Sequence, residues 1–300
     1  MYAFKGTESD DLLKEQRFLT HSLDNMYDLY LSVLALLTEL HKKSKDYNEK
    51  IQNKIVKSEA DKNLSLKFQE NQLLHLISSN TLLQEAVSSS KLNFWHLDFE
   101  YVDIIFKEII KSDLYKFYTA ETETSFKKDK HFIIDVFTEI IAPNEKLYEF
   151  FEDKKLTWID DLPVVNTAIL RILRKLKLTS PETALLPDLY KDEEDLEFAK
   201  DLLQKTFLNN SKFAEEISTK TTNWDSERLA SIDGVLLRMA LCEFQKFPSI
   251  PHKVTINEYL EIAKEYSTPK SSLFINGILD KIVKEYQAEN IHLKTGRGLM

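Results

Sequence analysis

Near the C-terminal end the chain reads Pro269-Lys270-Ser271-Ser272-Leu273-Phe274, its best local candidate for recognition chemistry. Lys270 offers a cation and Ser271 and Ser272 offer hydroxyls. A helix starting here adds unpaired backbone N–H groups and the positive end of its dipole, so the four features together suit a phosphate. Phe274 lies one turn further in and partly off the stripe Ile275, Ile278, Ile282, where its ring could stack on an unpaired base, as single-stranded RNA recognition requires. A plainer reading has the serines capping the helix and Phe274 in the core. Residue types alone favour that one.

Catalysis has no comparable set. The 7 His are scattered, at positions 21, 41, 75, 96, 131, 252 and 292, without metal-ligand spacing. The patterns HExxH, GxGxxG, GxxxxGKS/T and CxxC are absent. The chain therefore reads as a non-enzyme with no cofactor and no metal site. Only 5 Gly occur, none between Gly6 and Gly234, so phosphate-cradling loops and glycine-dependent hairpins are scarce and an all-α fold is expected. The lone Cys242 cannot form an intrachain disulfide and falls inside a helical pattern, which predicts a buried small apolar residue and fits a reducing cytoplasm. The longest apolar run, Leu29 to Leu37, is far short of the roughly 20 residues that span a bilayer. A net charge of −9 opposes nonspecific attraction to phosphate, so any RNA contact must be local or shared with a basic partner.

Three helices must position the candidate site. Leu229, Ile232, Leu236, Met239 and Ala240 recur at helical spacing, and that helix should stop before Pro248 and Pro251. Thr255 with Glu258 three residues on reads as a capping box opening a second helix, with Ile256, Tyr259, Leu260 and Ala263 as its stripe. Ser271 or Ser272 caps the third, whose stripe is Ile275, Ile278, Leu279, Ile282 and Tyr286. Gly277 inside it costs about 1 kcal/mol relative to Ala, which predicts a neighbouring helix packed very close.

In order and spacing, Leu-Leu-Arg-Met-Ala-Leu-Cys-Glu-Phe (236–244), Ile-Pro-His-Lys-Val-Thr-Ile-Asn-Glu-Tyr (250–259) and Phe-Ile-Asn-Gly-Ile-Leu-Asp-Lys-Ile (274–282) resemble the C-terminal half of the NusB family of transcription antitermination factors. The resemblance covers residues 224–286. It implies an all-helical protein that binds the boxA element of ribosomal RNA leaders together with the ribosomal protein that doubles as NusE, within the antitermination complex on RNA polymerase. The family's RNA-contacting aromatic matches Phe274, which turns the choice above toward Lys270, Ser271, Ser272 and Phe274 as RNA-binding residues; Pro269 and Lys270 stand where acidic residues are common in the family. Arg238, Glu243, Asn257 and Glu258 also match family positions and are expected to be structural, with Arg238 paired to a carboxylate between helices. The family's Arg-rich first helix has no counterpart ahead of Met-Tyr-Ala-Phe-Lys-Gly, which reads like the middle of a longer sequence; the expectation is a start at an internal methionine. A scaffold that has lost RNA binding, and the NusB-like domain of an RNA cytosine methyltransferase, are the alternatives.

Upstream, Leu19, Leu23, Met26, Tyr30, Leu34 and Leu37 predict a long helix from Leu12 to about Lys43, followed by lysines (42, 43, 45, 50, 54, 57, 62 and 67) on a solvated face. Helices are expected over Leu66–Leu83 and Asp98–Tyr118, with Phe94, Trp95, Phe99, Tyr101, Phe106, Tyr115, Phe117 and Tyr118 as core. Sliding the chain so that Phe132 falls on Phe198 also lays Asp135 on Asp201, Asn144 on Asn210 and Trp158 on Trp224, a degenerate internal helical repeat. This gives an N-terminal helical region (1–125), the first repeat copy (126–190) and a NusB-like C-terminal helical domain (191–300). The acids between Asp188 and Asp201 suit a helix N-terminus; a dock for a basic ribosomal protein is the sharper alternative.

Overall fold

The computed structural model describes residues 11–56, 65–220, 231–292 and 294–295. Trp224, Leu229, Lys57, Lys62 and the first ten residues lie outside them. Every regular element among the described residues is helical, so the fold is all-α. They divide into two compact units, one of residues 22–189 and one combining 11–21 with 190 onward.

Helix α1 (Leu12–Gln52), which belongs to the first unit from Ser22 onward, runs nine residues beyond its expected end. Leu29 to Leu37 are buried on every side, as an all-round apolar helix must be. The polar groups along it are satisfied: Ser32 Oγ donates to Asp28 O at 2.7 Å, and Trp95 Nε1 and Trp158 Nε1 donate to the carbonyls of Ser32 and Asn25 at 3.0 and 2.7 Å. Around it stand α2 (Gln72–Ser78), α3 (Thr81–Ser89), α4 (Phe99–Lys111), α5 (Asp113–Ala120), α6 (Phe126–Val136, extended by a π turn over Phe137–Ile141), α7 (Glu145–Lys154) and α8 (Trp158–Lys175).

Two long helices expected here are instead four short ones. Asn71 and Asn80 accept from the backbone N–H groups of Leu74 and Leu83, so α3 starts afresh where one helix was expected. Ser112, in extended backbone, closes α4 and caps α5 through Tyr115 N. Short polar side chains that outcompete the helix ladder cause both breaks. The aromatic cluster is core at Trp95, Phe106 and Tyr118, but Phe99 and Phe117 are exposed.

The second unit holds α9 (Glu193–Leu208), α10 (Asn210–Lys220), α11 (Ser231–Lys246), α12 (His252–Tyr266) and α13 (Ser271–Glu289). Asp192 caps α9, accepting from Glu194 N at 3.1 Å, and Glu193, Glu194 and Asp195 fill its first turn, so these acids complement the helix dipole. The central helix is α11, which packs against the other four. Leu237, Ala240, Leu241, Cys242 and Phe244 on it meet Phe213 of α10, Ala263 of α12 and Ile275, Leu279 and Ile282 of α13. The predicted α13 stripe is buried at all five positions.

The capping box is not formed. Helix α12 starts three residues earlier, after Pro251, whose φ of −62° already suits a helix start. That places Thr255 inside the helix, fully buried, where its hydroxyl donates to the Glu243 carboxylate at 2.5 Å. Glu258 is left exposed. Nor does Arg238 meet a carboxylate among the described residues: its guanidinium lies over Gly234, its Nε is buried without a partner, and desolvation lowers its pKa.

Candidate nucleic-acid interface

The start of α13 is held by a carboxylate that no local sequence pattern marks. Asp233, buried in the first turn of α11, accepts from Ser267 Oγ on one oxygen and from Ser271 Oγ, at 2.8 Å, on the other. The Ser271 hydroxyl also lies 2.9 Å from Ser267 Oγ and 2.8 Å from Thr268 Oγ1, and accepts Thr268 N at 3.3 Å. Ser271 is only 2% exposed. Its hydroxyl is therefore engaged inside the protein and does not present itself to a ligand. The expected serine cap is also absent: Lys270 occupies the cap position, without a side-chain hydrogen bond. Hydroxyls at positions 267, 268 and 271 are a weak signal for such a knot, because nothing local points to position 233.

The other three residues are differently placed. Lys270 is exposed, and its carbonyl accepts Phe274 N at 3.2 Å, the first bond of the α13 ladder. Ser272 is half-buried. Phe274 is half-buried too, packed against the C-terminal core with part of its surface reachable. Leu273 between them is 77% exposed, an apolar contact point that its position off the buried stripe could have signalled.

Gly277, one turn on, overturns the expectation of a tight helix crossing. It is exposed, and a Cβ built there would meet nothing within 4 Å. It opens a shallow cleft of about 460 Å³ along α13, lined also by Asp280, Lys281, Lys284 and Glu285. The glycine therefore serves no packing need within the described fold, and it leaves the α13 backbone open to close approach from outside.

Behind this surface the core carries buried titratable groups. Burial raises the Glu243 carboxyl, which takes hydrogen bonds from Thr255 and Tyr259. Lys294 donates from Nζ to the carbonyls of Glu243 and Phe247 at 2.9 Å each, and desolvation lowers it to about 8. Burial likewise lowers His252, packed edge-on against Phe244, to about 4. These groups brace α11, α12 and the segment after α13; Glu243 is buried, and His252 and Lys294 are half-buried. Among the described residues no helix is long and apolar enough to cross a membrane.

Comparison with known proteins places residues 176–284 in the NusB family. A transcription antitermination protein NusB of Salinibacter ruber is 41% identical over 110 residues, 37% of this chain and 69% of the relative. The NusB of Koribacter versatilis is 41% identical over 98 residues, 33% of this chain and 67% of its own. That of Chloroherpeton thalassium is 36% identical over 129 residues, 43% of this chain and 61% of its own length. No solved structure matches the chain.

Proposed function

Because this chain belongs to the NusB family, we propose that it is a noncatalytic transcription antitermination factor, gripping boxA-type RNA of a ribosomal RNA leader together with a NusE-type ribosomal protein. The observation that carries this reading is the first two turns of α13, where exposed Lys270 and Leu273, half-buried Ser272 and Phe274, and open Gly277 share one helix end. Lys270 attracts a phosphate, Ser272 supplies a hydroxyl, and the reachable part of Phe274 stacks on a base. Ser271 works from beneath: its bond to Asp233 fixes where these groups stand.

The chain's charge of −9 gives RNA no general attraction, so a basic ribosomal protein supplies the missing positive field. The exposed Leu273 and the glycine gap are features a protein surface covers more readily than a phosphate backbone does, which supports a shared interface on α13. Once assembled, the complex would hold RNA polymerase in a termination-resistant state.

Electrophoretic shift of a boxA oligonucleotide, with and without the basic partner, tests the reading. Binding should appear with the partner and weaken about tenfold or more in Phe274→Ala, since base stacking on an aromatic contributes about 1–3 kcal/mol. Failure to shift in either condition, with the ribosomal protein still captured, would instead favour an interaction scaffold without RNA.

A further inference from the structure

In the N-terminal unit, two basic segments far apart in sequence are drawn together. Lys130 on α6 donates from Nζ to the carbonyls of Arg174 and Leu176 at the end of α8, each at 3.0 Å. The start of α6, with Lys127 and Lys128, thereby lies beside the C-terminal end of α8, with Arg171 one turn back, Arg174 and Lys175 in the last turn, and the Lys177 that follows. Lys128 is bridged to Glu121 and Glu123. Lys127, Arg171, Arg174, Lys175 and Lys177 are all exposed, and among the described residues none of them has an ion-pair partner. Cations near a helix C-terminus complement its dipole. Here Lys130 already takes two of the carbonyls at that end, Arg174 and Leu176, and the other cations have no ion-pair partner among the described residues.

The same Lys130 lines a cleft of about 770 Å³ between α5 and α6. Leu114, Phe117, Tyr118 and Ile134 form its apolar side; Lys127, Lys128 and Lys130 contribute cations, and of the two carboxylates that also line it Glu121 is bridged to Lys128 and Asp135 lies 3.5 Å from His131. Phe117 is 74% exposed, while its neighbour Tyr118 lies stacked on Phe132 at 4.0 Å between ring centroids. An exposed ring in the same cleft as a stacked aromatic pair, next to unpaired cations, combines the two elements that hold single strands: a base platform and a phosphate track. The volume falls in the range of about 300–1,000 Å³ that encloses ligands of nucleotide size. A duplex keeps its bases stacked away from such a ring, and the core of a protein interface is depleted in charge, so both fit less well.

We propose that this cleft is a second contact surface for single-stranded RNA, with phosphates on Lys127, Arg174 and Lys177 and one base on Phe117. The inference rests on the RNA-binding reading of the chain but uses none of the α13 residues. In a protein of net charge −9, a confined positive seam gives RNA a local attraction in addition to the field a basic partner lends.

The test measures fluorescence anisotropy of labelled boxA RNA and labelled oligouridine on the full chain, alone and with the NusE-type ribosomal protein, across a salt series. In a combined Lys127→Glu, Arg174→Glu, Lys177→Glu variant, affinity should fall at least about tenfold and the slope of log K against log salt should flatten by about 0.7 for each phosphate no longer neutralised. Phe117→Ala should weaken binding by roughly fivefold to a hundredfold with the slope unchanged, because stacking releases no counterions. All four side chains are exposed, so circular dichroism melts should match wild type. A 4-thiouridine RNA should crosslink within 113–135. Unchanged affinity and slope in the charge variant, while Phe274→Ala weakens binding, would overturn this proposal and leave the α13 reading standing. Loss in the charge variant with Phe274→Ala unaffected would support this proposal against the α13 reading. Crosslinks confined to 270–277 would hand the seam to an acidic protein and overturn it as an RNA site.

Discussion

The carboxylate of Asp233 receives the Ser271 hydroxyl at 2.8 Å, tying the first turn of α11 to the first residue of α13 across thirty-eight positions of sequence. Both groups are buried, so neither can exchange its partner for water. Ser271→Ala leaves a buried carboxylate short of a donor and should lower unfolding free energy by about 1–3 kcal/mol, measured by urea denaturation. Ser272→Ala, one residue on, should stay within about 0.5 kcal/mol while weakening RNA binding. The reverse pattern would make Ser271 a ligand contact and dissolve its supporting role.

Gly277 offers a stabilising substitution with a functional penalty. Because an added Cβ meets nothing within 4 Å, Gly277→Ala should raise stability by about 0.5–1 kcal/mol through helix propensity alone. Gly277→Arg should also fold, yet it should reduce capture of the ribosomal protein if that partner approaches the α13 backbone. Pull-down by both variants at wild-type yield would remove the interface from this face.

Thr255 and Glu258 separate two accounts of how α12 begins. With the Thr255 hydroxyl on buried Glu243, Thr255→Val should destabilise by about 1–3 kcal/mol, whereas Glu258→Ala, at an exposed position, should change little. A capping box would make both substitutions costly. Denaturant midpoints of the two single variants decide between them.

Asp161 sits in the first turn of α8 with Oδ2 buried and unpartnered. Burial, with the neighbouring Asp160 charge, raises its pKa from 3.8 to about 6. The folded state then binds this proton more tightly than the unfolded chain, so the contribution is complete below pH 3.8 and is lost as pH rises through about 6. Asp161→Asn should accordingly raise Tm at pH 7 by roughly 2–4 °C and give little gain at pH 4. An equal gain at both pH values would mean the charge is not the cause.

Periodicity was readable wherever a helix has one wet and one dry face. The stripe from Ile275 to Tyr286, the stop of α11 before Pro248 and the acids opening α9 all follow from local rules. The hydroxyls were not readable in this way. Thr255 and Ser271 each satisfy the local criteria for a cap, and both are claimed instead by carboxylates distant in sequence, Glu243 and Asp233, because a buried charge outbids an exposed helix end. Gly277 was not readable for a related reason: a glycine that faces open space looks the same in sequence as one kept for a neighbour inside. Arg171 to Lys177 could be seen as a basic run, but its meeting with Lys127 depends on Lys130 reaching the end of α8.

Cys242 is the only thiol in the chain, it is sealed in the core of the C-terminal unit, and burial raises its pKa further from reactivity. A single cysteine introduced at Lys270, at Lys177 or at Phe117 would thus be the sole group a maleimide reaches. Fluorophores or spin labels could be mounted at either proposed RNA surface on an otherwise native background, and whether and in which order the two engage a strand could be timed directly.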